Sequence, residues 1–217
     1  MFYPLKKMFD PKKILVLAPH TDDGELGCGG SLAKFCVEKR EVHYAAFSLC
    51  KKSLPAGAAE DTLEKECKAA VRQLGMDAGK VMLYDFEVRE FSQKRQEILE
   101  ALISLNKYIQ PEMIFIPSVT DLHQDHQVIH AEALRAFKNS SILGYELPWN
   151  QNHFNSALFI KLSSENIDTK VKALKAYRSQ SHRNYMQEDF IRSLAKVRGV
   201  QCNSEYAEAF EVYKLIS

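Results

Sequence analysis

Ile14-Leu15-Val16-Leu17-Ala18-Pro19-His20-Thr21-Asp22-Asp23-Gly24-Glu25-Leu26-Gly27-Cys28-Gly29-Gly30 places a short apolar run, a polar turn and a helical pattern in immediate succession. The run reads as the first strand of an α/β sheet. One histidine and two aspartates then sit at its carboxyl end, where open α/β sheets place their active sites. A second cluster, Asp121-Leu122-His123-Gln124-Asp125-His126, follows the apolar run Met113-Ile114-Phe115-Ile116. Two loops rich in imidazole and carboxylate, both at strand ends, point to one divalent-metal site built between them.

Outward from these clusters, β and α signals alternate. Strands are expected at 13–18, 42–49, 81–86 and 113–117, with further strand-like runs at 143–147, 157–162 and 209–215. Helices are expected from Gly24 to about Lys39, at 63–74 (closed by Gly75), from a cap at Ser92 to about Ile109 before Pro111, at 127–137, near 166–178 and near 187–197. The alternation predicts a single-domain α/β fold: a Rossmann-like, mostly parallel sheet flanked by helices. The segment from Cys50 to Asp61 reads as a long loop.

Composition excludes several classes of function. The 217 residues are 46% hydrophobic and carry a formal net charge of +1, which leaves no electrostatic footprint for nucleic acid. No apolar run has membrane-spanning length, so no transmembrane segment is expected. Met1 to Lys13 carries Lys6, Lys7, Lys12 and Lys13 without the apolar stretch of a signal peptide. Five cysteines, Cys28, Cys36, Cys50, Cys67 and Cys202, lack Cys-x-x-Cys spacing and read as reduced thiols of a cytoplasmic protein. A homo-oligomer is compatible with all of this.

His20 and Asp23 lie three apart where strand turns into helix, so both can converge on one point above the sheet edge. A catalytic zinc usually takes three protein ligands and keeps one position for water. The second cluster must supply the third, and both His123 and His126 qualify. Asp22 is then free to act as a base. Simpler readings exist: Asp22 or Asp23 could cap the first helix, and Asp125 the helix after the second cluster. Gly27-Cys28-Gly29-Gly30 lacks Gly-x-Gly-x-x-Gly spacing, and close helix–sheet packing explains it better than a nucleotide. His126 and His130 form a His-x-x-x-His pair, but Gln127 stands where a zincin protease needs Glu, which makes His130 a surface or supporting residue.

Pro19-His20-Thr21-Asp22-Asp23 with the following glycines, and His123-Gln124-Asp125-His126 later, resembles the PIG-L/LmbE-like N-deacetylases. The resemblance extends to Glu66-Cys67-Lys68-Ala69-Ala70 and Tyr206-Ala207-Glu208-Ala209-Phe210. It implies a metal-dependent removal of acetyl groups from N-acetylated amino sugars. It implies His20, Asp23 and His126 as ligands to Zn2+, or to Fe2+ or another divalent ion, and Asp22 as general base. A cationic His123, held by Asp125, would stabilise the oxyanion. Thr21 departs from the usual Pro, Glu25 stands one place late for an acid that usually follows Asp23, and Leu63 replaces a common Arg.

For the substrate, Arg89 at the end of the third strand could meet a phosphate or sugar hydroxyls, and Glu146 with Trp149 could form an aromatic and acidic sugar wall. The alternatives are a structural salt bridge for Arg89 and a core position for Trp149. The turn Ser179-Gln180-Ser181-His182-Arg183 could close over the site. Two rival functions compete. His20-Thr21-Asp22 with a distant histidine also spells the ligand triad of non-haem iron oxygenases, although those sit on all-β jelly rolls. A non-catalytic sugar-binding protein with a degenerate site is the other.

Overall fold

The computed structural model describes residues 10–216. Lys6 and Lys7, part of the N-terminal reading, lie outside the described residues. The elements follow in the order β1 (Lys13–His20), α1 (Asp23–Val37), β2 (Glu41–Ser48), α2 (Thr62–Gln73), β3 (Val81–Leu83), α3 (Arg95–Ile109), β4 (Met113–Pro117), α4 (Gln124–Ala136), β5 (Ser141–Tyr145), β6 (Leu158–Leu162), α5 (Ser164–Leu174), α6 (Glu188–Gln201) and β7 (Tyr206–Lys214). Among the described residues one sheet holds all seven strands, in the order β3-β2-β1-β4-β5-β7-β6. Strands β1 to β5 run parallel, with Ile14 in register with Val42 on one side and Met113 on the other. Strand β7 runs antiparallel between β5 and β6. The α/β expectation therefore holds, with one strand reversed.

The centre of the sheet is apolar on both faces. Ile14, Val16 and Ala18 of β1 enter a core shared with α1, α2, α5 and α6. Leu15 and Leu17 point the other way, into a core shared with α3 and α4. This two-sided burial is why β1 and β4 read as continuous apolar runs. Strand order reverses between β1 and β4. At such a switch point the loops leaving the carboxyl ends diverge to opposite faces and open a crevice between them. Both polar clusters leave the sheet there.

Only a two-residue turn, Thr21-Asp22, separates β1 from α1. Gly24 lies so close to the Tyr44 ring that a Cβ would come within 2.5 Å of it, and at Gly27 a Cβ would come within 2.4 Å of the Tyr145 ring. Close packing of helix on sheet thus accounts for these glycines. Gly75 ends α2 at φ +85, with Met76 N donating to the Val71 carbonyl over 3.1 Å. Ser92 is not the cap of α3. A 3₁₀ turn spans Phe91–Gln93, and Lys94 precedes the helix. The loop after Cys50 contains a 3₁₀ turn, Lys51–Ser53.

Candidate metal centre and cleft

Three donor atoms meet above the switch point. His20 Nδ1 lies 3.1 Å from Asp23 Oδ2, His126 Nε2 lies 3.2 Å from the same oxygen, and the two nitrogens are 3.1 Å apart. Each imidazole has its other nitrogen engaged outward. His20 Nε2 faces Asp125 Oδ2 at 3.1 Å, and His126 Nδ1 faces Asp121 Oδ2 at 2.7 Å. A carboxylate only accepts, so these outer nitrogens carry the ring protons. The inner nitrogens then turn lone pairs toward each other and toward an ionised carboxylate. Such a set is mutually repulsive unless a proton or a cation lies between. Donors about 2.0–2.2 Å from a tetrahedral zinc would stand roughly 3.4 Å apart, so the observed triangle fits such an ion with slight opening.

The backbone turn fixes this geometry. His20 N donates to Asp23 Oδ2 over 2.8 Å, so the aspartate closes the turn as it faces the centre. Asp23 is held far below the usual carboxylate range: burial opposes ionisation, but the charges of His126 and His20 outweigh it. His126 is pushed up to about 10; burial works against the charge, and Asp23 and Asp121 override it. Asp121, in the second cluster, carries a role that the sequence alone does not reveal. It is buried, and its other oxygen accepts from His123 N over 2.8 Å, so one carboxylate sets both histidines of the loop. Its position at the loop start, ahead of two histidines, was the available signal.

Asp22 precedes α1 but makes no cap bond with its side chain, so the capping alternative does not describe it. It lines the same cleft, and burial together with the Asp23 charge raises its carboxyl to about 6. Asp22 does not join His20 in the donor triangle. The His-x-Asp oxygenase ligation is therefore not the arrangement seen, and the fold is not a jelly roll.

His123 and Asp125 are brought near the centre, but their expected partnership is not. Asp125 holds His20, and it also accepts from the Arg89 backbone N over 2.6 Å. His123 instead caps α4: its Nδ1 accepts from Asp125 N over 3.2 Å. An accepting Nδ1 is unprotonated, which leaves Nε2 to carry the proton. Burial and the neighbouring His126 and His20 push this ring down to about 4. The expectation of a cationic His123 held by Asp125 is corrected to a neutral ring held by a helix N-terminus. His20, His123 and His126 each offer a ligand atom within 4.8 Å of the others, so His123 stands beside the centre.

Of the expected substrate contacts, Trp149 lines the cleft and is 37% exposed, which removes the core reading. Its ring stacks on Tyr185, with centroids 4.1 Å apart and planes at 10°. Glu146 is not in the cleft. It forms a two-pronged ion pair with Arg198, because its carboxylate is buried and needs a charge partner there. Arg89 reaches the site through its backbone. At φ +70 it takes the left-handed conformation that the Asp125 bond holds in place, and its side chain is exposed. Glu25 is buried between the Tyr44 and Tyr177 hydroxyls and pushed up to about 8, away from the cleft. His130 is buried rather than at the surface, bonded to the Pro117 carbonyl at 2.9 Å. Gln180 and Arg183 of the 179–183 turn do line the cleft, together with Asn150 and Tyr185.

A family model described as PIG-L: GlcNAc-PI de-N-acetylase matches residues 15–137, which span β1 to α4 and both polar clusters. A curated relative, an uncharacterized deacetylase YaiS of Escherichia coli (strain K12), is 28% identical over 174 residues, 77% of this chain and 91% of its own length. Among solved structures, N,N'-diacetylchitobiose deacetylase from Pyrococcus horikoshii superposes with a TM-score of 0.79 at 21% identity, covering 97% of this chain and 87% of that one. The hydratase GalB, a 4-carboxy-2-hydroxymuconate hydratase from Pseudomonas putida KT2440, superposes with a TM-score of 0.76 at 20% identity, covering 94% and 98%. The last two likenesses are of fold, and they show one fold carrying two reactions.

Proposed function

The chain belongs to the PIG-L family of deacetylases, and from that premise we propose that it is a metal-dependent hydrolase that removes an N-acetyl group from an amino sugar or its conjugate and releases acetate. The observation that carries the reading is the donor triangle of His20, Asp23 and His126 with an uncommitted carboxylate, Asp22, in the same cleft. Zinc suits two imidazoles and one carboxylate, and Fe2+ suits the same set. Bound there, the ion would polarise the amide carbonyl and acidify a water. Asp22 takes a proton from the attacking water and delivers it to the leaving nitrogen. The His123 Nε2–H donates to the oxyanion of the tetrahedral intermediate. Asp125 and Asp121 fix the ring orientations of His20 and His126.

Among the described residues no helix is long and apolar enough to cross a membrane. All five cysteines are unpaired, which supports a reducing compartment, the cytoplasm. A panel of N-acetyl amino-sugar conjugates, assayed for free amine with and without added divalent metal, tests the function. Metal-dependent amine release is expected. Binding without release would favour a sugar-binding protein.

A further inference from the structure

We propose that Arg183 is a specificity-determining residue that binds an anionic group, phosphate or carboxylate, on the substrate. The inference rests on the deacetylase reading of the cleft. Arg183 is the one Lys or Arg side chain among the described residues that lines it. It is half-buried, and no carboxylate of the described residues pairs with it, although the protein's other buried or half-buried ion pairs are well formed.

Its position is built rather than incidental. The Glu66 carboxylate accepts from Ser179 N at 2.9 Å and from Ser179 Oγ at 2.6 Å. Gln180, itself buried, donates Nε2 to Ser179 Oγ over 3.1 Å and accepts from Arg183 Nε over 2.7 Å. The guanidinium carbon lies 5.7 Å from the centre of the Tyr185 ring, whose other neighbour is Trp149. A relay from α2 and an aromatic face thus hold one edge of the guanidinium. Its terminal Nη groups carry the donors left for a ligand, and a planar fork of N–H donors matches phosphate or carboxylate oxygens. A sugar ring on the Trp149–Tyr185 wall would place a charged substituent at Arg183 and its N-acetyl group toward Asp22.

Two readouts test this, one of them independent of turnover. Trp149 is the only tryptophan, so its fluorescence reports binding at this wall. Glucosamine 1-phosphate should perturb it saturably in the wild-type protein, and glucosamine should bind more weakly. In Arg183→Gln the affinity for the phosphate should fall by about 10- to 100-fold, the loss of one charge-assisted pair, with partial recovery in Arg183→Lys. In turnover, kcat/KM for N-acetylglucosamine 1-phosphate relative to methyl N-acetylglucosaminide should fall by a similar factor, carried by KM. N-acetylmuramic acid is the carboxylate arm, and the larger loss names the native anion. The ratio separates substrate binding from any effect of the Arg183 charge on Asp22, which would lower both substrates alike. Unchanged phosphate affinity in Arg183→Gln, or equal losses on charged and neutral substrates, overturns the proposal. Failure of turnover with fluorescence binding intact would instead overturn the deacetylase reading.

Discussion

Two buried clusters of charge border Trp149, and they are built on opposite rules. On one side Lys170 meets Glu208 at 2.7 Å, and Arg198 meets Glu146 through two nitrogens. Every charge there has its opposite. Lys170 also donates to the Leu26 carbonyl, and Glu208 receives Gly30 N and Ser31 N, so the cluster seals the kink of α1 at Cys28. On the other side His20, Asp23 and His126 turn three electron pairs to one point, with the ring protons drawn outward by Asp125 and Asp121. A buried cluster that balances itself holds structure. One whose ring nitrogens and carboxylate oxygen converge on a single point is built for a ligand.

That contrast can be broken in graded steps. The largest expected effect on turnover is at Asp22: Asp22→Asn should lower kcat by roughly 10²–10⁴ with metal content kept. His123→Asn retains a capping acceptor for α4 but removes the imidazole donor, and kcat should fall by roughly 10²–10³. Asp121→Asn should weaken metal affinity by roughly 10- to 100-fold, measured by competition with a chromogenic chelator, because His126 loses its charged anchor. In the self-balanced cluster the readout changes kind. Arg198→Ala leaves the Glu146 carboxylate buried and unpaired, and should cost about 3–5 kcal/mol in denaturant unfolding. Metal affinity should change least in that variant. A large loss of metal there, with little loss of stability, would erase the distinction between the two clusters.

The fold was legible because β1 and β4 are apolar on both faces and each is followed by a helix, which only a covered parallel strand requires. The reversed direction of β7 was not legible, since a strand whose middle is buried on both faces reads the same in either direction. The donor residues stood out because they cluster locally at two strand ends. Their partners did not, because partnership is made across the fold. Asp125 lies two residues from His123 yet serves His20 from 105 residues away, and Glu146 serves Arg198 rather than a sugar. The family resemblance implied His123 as the ring held by Asp125, whereas Asp125 faces His20 and the helix N-terminus holds His123. Arg183 became informative only when the cleft showed which of its cations has no carboxylate partner among the described residues.

His20, Asp23 and His126 are proposed to hold one divalent ion while Asp22 stands beside it uncommitted. Metal content of the purified wild-type, Asp22→Asn and Asp23→Asn proteins, measured by plasma mass spectrometry after exposure to zinc and removal of the excess, tests it most directly. The wild type and Asp22→Asn should each retain about one equivalent, and Asp23→Asn should retain little, because it lacks one of the three protein ligands that such a site needs. Full retention in Asp23→Asn with loss in Asp22→Asn would instead move the carboxylate ligand to Asp22.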